Sequence, residues 1–330
     1  MKSFGKKCLE LLTHRYFLRF LGLAIFLGIL WKVNIGKVFG VLQKTDPVPT
    51  VLGLLLAFPL AFVRSYRWNH IMCSLDINVS SADSFFYQIV SQMAFFTPAK
   101  IGEFIKVFYL KGRDYPLSTG IVSVLGDRVF DLTAMIVTAF AASFYFFSIP
   151  MEWMIVLIVL AFISLGLVYL LIENRHTIYG WATNVLLFFV PSSLEVKFEN
   201  VMNEFKEYLS ELTVVWTLNL LIISGGALCL QVWRIWWFGR ALSIDVAFFP
   251  LMGIVSLMSL SNLLPISFLG LGTRDAVFLY FFGMLGVKPE LAIALSLVIL
   301  ASILINAMFG AILFSIYPPE INVKQYLSSL

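Results

Sequence analysis

The sequence predicts an all-α, polytopic integral membrane protein: two weakly similar halves with broken or re-entrant helices. Three observations predict it. Of 330 residues, 60% are hydrophobic and only 13% are charged, against about 25% charged in a soluble domain. Mean hydropathy is +0.92, and the apolar stretches recur from one end to the other. Prolines and glycines interrupt two of those stretches beside ionisable residues. Together these features exclude a soluble enzyme, a nucleic-acid-binding domain, a disordered tail and a small membrane anchor.

The basic flank Lys2, Lys6, Lys7, Arg15 and Arg19 precedes an apolar run without a small-residue cleavage site. This reads as a retained first span with a cytoplasmic N-terminus in a multi-pass protein of the cell membrane. Crossing the hydrocarbon takes about 20 mostly apolar residues. The stretches that meet or approach this are Phe17–Trp31, Pro47–Val63, Leu132–Pro150, Trp153–Ile172, Thr213–Trp233 and Leu291–Tyr317. The first two are short, and Arg19, Lys32, Arg64 and Arg67 can lengthen them by snorkelling. Arg64 and Arg67 therefore read chiefly as positive-inside anchors that close the second span.

Other apolar stretches are interrupted. Ser84–Thr97 stops at Pro98, and Ile101–Leu110 carries Glu103 and Lys106. Leu117–Leu125 ends at Asp127-Arg128. Val246–Leu264 precedes Pro265, Gly270 and Gly272, and Asp275–Leu285 is short. Irregular backbone at membrane depth survives only where protein or a wet cavity shields it, so these are expected to be broken helices. Ser192-x-x-Glu195 has capping-box spacing. Leu194, Phe198, Val201, Phe205, Leu209 and Leu212 then recur at helical spacing among charges. That is an amphipathic helix, lying on the membrane surface or on the protein. The chain is thus expected to be one membrane domain over 1–330. Its first half covers about 1–172, the surface helix about 192–212 and the second half about 213–330.

Each half holds one break with the same order of elements. The first reads Phe96-Thr97-Pro98-Ala99-Lys100-Ile101-Gly102-Glu103, and the second runs from Leu264-Pro265 to Gly270-Leu271-Gly272-Thr273-Arg274-Asp275. A second proline, Pro116 or Pro289, follows each. Paired interrupted helices are the sequence mark of a transporter site between repeats.

Few polar residues lie in these regions. Lys100, Glu103 and Lys106 fall on one broad helical face, marking either a wet cavity or a solvated interface. Asp127, Arg128 and Asp131 are helical neighbours, either an ion-paired helix end or an arginine aimed at an anionic headgroup. Arg274-Asp275 opens a helix behind two glycines, where backbone can approach an anion. Gln92 and Asn262 could bond across the repeat interface or satisfy broken backbone. Trp233, Trp236, Trp237 and Phe238 read as an interfacial belt, beside Arg234 and Arg240.

Chemistry-bearing motifs are missing. Cys8, Cys73 and Cys229 form no CxxC pair, and His14, His70 and His176 are isolated. No catalytic residue, metal site or cofactor is therefore expected, nor a nucleic-acid partner.

The segments Arg64-Ser-Tyr-Arg67-Trp68, Pro98-Ala-Lys100-Ile-Gly102-Glu103-Phe-Ile-Lys106 and Asp127-Arg128-Val-Phe-Asp131-Leu132, with Leu264-Pro265 through Asp275-Ala276, carry a likeness to a known family. The chain resembles the flippase-like membrane-domain family, which includes the membrane half of lysylphosphatidylglycerol synthases. The resemblance covers nearly the whole chain. The family pattern has arginine at the positions of Lys100 and Lys106 and glutamate at that of Asp127, so charge sign is kept while the bidentate fork is lost at the lysines. The chain ends soon after its last span, so the soluble aminoacyl-transferase activity is not carried over.

The resemblance implies handling of a lipid. The leading expectation is a transporter of a polar or anionic phospho- or glycolipid. Its path would be lined by Lys100, Glu103, Lys106, Asp127, Arg128, Asp131, Arg274 and Asp275. Two alternatives stand beside it. One is a lipid-modifying enzyme or subunit using Glu103 and Asp131 as acid and base. The other is a non-catalytic membrane partner of a soluble enzyme through Leu194–Leu212. The expected partners are membrane lipids, with a homo-oligomer or a soluble protein at Leu194–Leu212.

Overall fold

The computed structural model describes residues 28–29, 33, 35–96, 103–147, 195–262 and 270–319. The expected spans Phe17–Trp31 (apart from Gly28 and Ile29) and Trp153–Ile172 lie outside them, as do Pro98, Lys100, Gly102 and Pro265. Among the described residues the regular structure is helical throughout. The helices are α1 (Ile35–Gln43), α2 (Pro47–Leu55), α3 (Ala57–Cys73), α4 (Ser81–Val90), α5 (Ile105–Lys111), α6 (Leu117–Phe147), α7 (Glu195–Glu211), α8 (Val214–Ala241), α9 (Phe248–Ser261), α10 (Thr273–Met284) and α11 (Pro289–Ile316). A 3-10 turn, Ser91–Phe96, continues α4. Among the described residues, four helical segments are long and apolar enough to cross a membrane: Pro47–Cys73, Leu117–Phe146, Val214–Ala241 and Pro289–Ile316.

Local chemistry sets several boundaries. Asp46 starts α2 by accepting from Val48 N at 2.9 Å, with Pro47 at the first helical position. Thr213 starts α8 by accepting from Trp216 N. The division between α2 and α3 falls at Leu56, three residues before Pro59. A proline there cannot donate to the Leu55 carbonyl and crowds it, which bends the span.

Two span boundaries read from sequence are corrected. The second span does not close at Arg64 and Arg67; it runs on to Cys73 and carries both arginines inside it. Leu117–Leu125 is not a separate short helix. One helix, α6, runs from Leu117 through Asp127, Arg128 and Asp131 to Phe147. A charge ends a span only if it must reach water, and these charges find partners within the protein.

The apolar side chains divide between the core and an outer surface. One buried cluster joins Val232, Ile235 and Phe238 of α8, Ile254 and Val255 of α9, Phe278 and Phe282 of α10, and Ile293 and Leu295 of α11. A second gathers Trp68, Met72, Tyr87, Val90, Tyr109 and Leu110 from α3, α4 and α5. Phe62, Ile136, Val137, Ile222, Met308 and Ile312 remain exposed, as lipid-facing residues do. Phe238 is buried, which removes it from the aromatic belt expected at the interface, whereas Trp233 is exposed.

Helix α7 lies on the protein. Tyr208 is buried and packs with Ile71, Val122, Phe130 and Leu220, while Val201, Phe205 and Leu212 flank it. Its exposed residues include Glu199, Asn200, Asn203 and Glu211. Burial raises the Tyr208 phenol above its ordinary range, and the nearby charge of Asp127 adds to the shift.

Helix α11 crosses α4 and the 3-10 turn at Gly310. A Cβ there would meet Ile89 O at 2.8 Å, Met93 N at 3.0 Å and Val90 O at 3.1 Å. These are backbone atoms and cannot swing aside. Gly310→Val is expected to destabilise the protein by about 1–3 kcal/mol through overpacking, read as a lower Tm in detergent. An unchanged Tm would show that the helices separate freely here.

Candidate functional site

Six ionisable side chains meet where α3, α5, α6 and α8 pack. Arg67 is 0% exposed. Its Nε donates to Asp127 Oδ1 at 2.8 Å, and its Nη1 donates to Asp131 Oδ1 at 2.6 Å and to Ser224 Oγ at 2.7 Å. One planar guanidinium thus joins two carboxylates of α6 to a hydroxyl of α8, a geometry a lysine could not reproduce. Lys106, also fully buried, donates to Gln88 Oε1 at 2.9 Å and lies 3.8 Å from Asp127 Oδ2. Its ammonium sits 4.6 Å above the Trp68 ring. Arg128 pairs with Glu103, and its Nη1 lies 3.7 Å from Asp131 Oδ2. The helical rise places Asp127 roughly 15 Å along α6 from Leu117.

Several expectations change here. Arg67 is not an interfacial anchor but the centre of the network, because Asp127 and Asp131 compensate its charge. Lys106 does not sit on a solvated face. Glu103 precedes α5 in a separate turn, so it shares no single described helix with Lys106, and Lys100 lies outside the described residues. The i, i+3 pairing of Arg128 with Asp131 is present, yet Arg128 also reaches Glu103.

Arg274 and Asp275 form a different network. Arg274 Nε donates to Ser296 Oγ at 2.6 Å, and the Ser296 hydroxyl donates to Asp275 Oδ1. The other carboxylate oxygen, Oδ2, accepts from Gly272 N at 2.7 Å. Asp275 thereby holds the start of α10 and ties it to α11. Gly270 and Gly272 have φ of +77° and +86°, a region that disfavours any side chain. Asn262 Oδ1 also occupies the space a Cβ of residue 270 would need. Asn262 thus packs against its own break, whereas Gln92 lines a cavity with Asn306. No described contact joins Gln92 to Asn262.

Sequence reasoning missed Gln88, Ser224 and Gln231 as partners. Arg64 Nη2 donates to Gln231 Oε1 at 2.6 Å, and Gln231 Nε2 donates to Ser259 Oγ at 3.1 Å. Arg234, expected at the interface, faces inward and donates to Ser302. The available signal was a polar residue within an apolar span, at Gln88, Ser224 and Gln231 alike.

This geometry can be set beside known proteins. The family profile of the lysylphosphatidylglycerol synthase TM region matches residues 19–310, most of the chain. The chain belongs to this family. Within it, the chain is similar to a UPF0104 membrane protein of Methanocaldococcus jannaschii, 23% identical over 91% of this chain and 94% of that one. A UPF0104 membrane protein of Methanothermobacter thermautotrophicus is 22% identical over 84% of this chain and 88% of its own length. No solved structure matches the chain. Like the family's transmembrane region, the protein is a multi-pass helical membrane protein, and its buried charges lie inside the matched segment.

Proposed function

We propose that the protein carries a polar or anionic lipid, phospho- or glycolipid, between the leaflets of the cell membrane. The observation that carries this reading is the network of Arg67, Asp127, Arg128 and Asp131 within two spans, joined by Glu103 and Lys106 at the short α5. An ionised side chain at the bilayer centre costs about 2.5–3.5 kcal/mol on insertion scales. Six ionisable residues in one place are a stepping surface for a headgroup that cannot cross hydrocarbon unaided.

Element order supports a paired architecture. The short α5 precedes the long α6, as the short α10 precedes the long α11, the arrangement of repeats around a transport site. The family's printed name refers to a lipid-modifying synthase, which supports a lipid as the transported molecule. In this reading the basic N-terminal flank faces the cytoplasm. The enzymatic alternative has less support, since Glu103 and Asp131 are both engaged by arginines. The partner alternative through α7 is weakened because Val201, Phe205 and Tyr208 pack on the chain itself.

Vesicles carrying the purified protein and a fluorescent phospholipid test this reading. Wild type is expected to speed translocation over protein-free vesicles. Arg128→Ala should slow it about ten- to a hundredfold, the effect of losing a charge-assisted hydrogen bond of about 1.5–3 kcal/mol. Arg128→Lys should restore part of the rate. Equal translocation by wild type, Arg128→Ala and empty vesicles would sink the reading.

A further inference from the structure

Arg64 and Arg234 make no ion pair with the carboxylate network, although Asp131 lies within coulombic reach of Arg64. Arg64 bonds to Gln231, and Arg234 bonds to Ser302 with its guanidinium 5.7 Å from the Phe238 ring centroid. Neither makes an ion pair among the described residues. The Nε of each is buried without a hydrogen-bond partner. Both arginines line one narrow polar cavity with Gln88, Gln92, Glu103 and Asn306. Glu103 does not compensate them, because Arg128 engages it.

Charge across this region is unbalanced. Arg64, Arg67, Lys106, Arg128 and Arg234 face only Glu103, Asp127 and Asp131, so five cations against three carboxylates leave two positive charges uncompensated among the described residues. Arg64 lies within coulombic reach of Lys106, Arg128 and Arg234 and of the single carboxylate Asp131, which Arg67 already holds. Two unpaired guanidinium groups in a low-dielectric cavity call for an oxyanion, which each can grip through two N–H donors.

An apolar groove lies beside the cavity. Ala57, Ala61, Gln92 and Asn306 border both the polar cavity and a groove between α2–α3 and α11. Leu55, Phe58 and Phe309 stand at its lipid-facing side and are exposed. The rings of Phe58 and Phe309 meet edge to face at 6.3 Å. The groove lies where α2 ends and α3 begins, lined there by Leu54, Leu55, Ala57 and Phe58. A charged pocket that shares a wall with an apolar groove matches a molecule with an anionic head and an alkyl tail.

We propose that Arg64 and Arg234 together bind the phosphate of one membrane lipid, whose acyl chain lies in the groove between α2–α3 and α11. This assignment rests on the lipid-handling reading and names the headgroup chemistry and the side of entry.

Native mass spectrometry of the full chain in detergent tests it, with dioleoylphosphatidylglycerol, dioleoylphosphatidylcholine and inorganic phosphate as separate probes. Phosphatidylglycerol is expected to bind at least about tenfold more tightly than phosphatidylcholine, whose own cation adds to the local excess. Arg64→Gln/Arg234→Gln should abolish that preference while eluting as a folded protein. Ala61→Trp, which fills the groove, should weaken phosphatidylglycerol binding and spare inorganic phosphate. Inorganic phosphate binding as tightly as phosphatidylglycerol overturns the lipid assignment. Unchanged phosphatidylglycerol binding by the double variant, with translocation still lost in Arg128→Ala, overturns the site and leaves transport standing. Preference lost in the double variant, in a protein that translocates nothing, upholds the site and removes transport.

Discussion

Replacing Arg67 with alanine is expected to remove about 3–5 kcal/mol of stability, because it leaves buried carboxylates without their main counterion. Asp127 and Asp131 would keep only Lys106 at 3.8 Å and Arg128 at 3.7 Å. Ser224 would lose its donor from Arg67 as well. Thermal unfolding of the detergent-solubilised protein measures the loss. Arg67→Lys should be intermediate, since one ammonium cannot serve two carboxylates and a hydroxyl in the plane the guanidinium uses. Adding Asp131→Asn to Arg67→Ala should recover part of the stability by deleting one stranded charge, a non-additivity that a double-mutant cycle reads directly. Additive losses would mean that the two residues are not coupled and that the network is a coincidence of position.

Trp68→Ala is expected to cost a similar amount, about 3–5 kcal/mol, for a different reason. Trp68 is 0% exposed at the centre of the cluster that joins α3, α4 and α5. Its Nε1 donates to Ser123 Oγ at 3.1 Å, Tyr87 meets its ring edge to face at 6.4 Å, and Lys106 sits over it. Truncation therefore opens a cavity and strips the ammonium of an aromatic face. Trp68→Phe keeps most of the ring and loses the N–H donor, so it should cost only about 1 kcal/mol beyond its lost volume. If phenylalanine costs as much as alanine, the hydrogen bond to Ser123 outweighs packing at this position. The same variants should impair translocation in proportion to their effect on Lys106.

How much could be read in advance is clearest residue by residue. Pro59 and Asp46 act on their own neighbours, so the bend and the start of the second span follow from local rules. The apolar side of α7 was legible from its period, although its neighbours were not. Gly270 and Gly272 were legible as special backbone. Arg67 was misread because the bond to Asp127 spans 60 residues of sequence. Arg64 was misread for the same reason, its partner Gln231 lying 167 residues away. A charged side chain at a presumed span end looks like an anchor until its counterion is known. Asp127 and Arg128 misled in the opposite sense: they appeared to stop a helix that continues for another 19 residues beyond Arg128 to Phe147.

A bilayer demands long apolar segments and tolerates few charges, so amino-acid order alone establishes a helical multi-pass membrane protein. The same order also marks the breaks where those charges concentrate. Only the tertiary structure decided which charges are neutralised and which are not. Arg67 and Lys106 have carboxylates within 4 Å, whereas Arg64 and Arg234 line one polar cavity and make no ion pair there among the described residues. The physical reason is that the energy of a buried charge depends on what lies within a few ångströms of it, and those neighbours come from helices far apart along the chain.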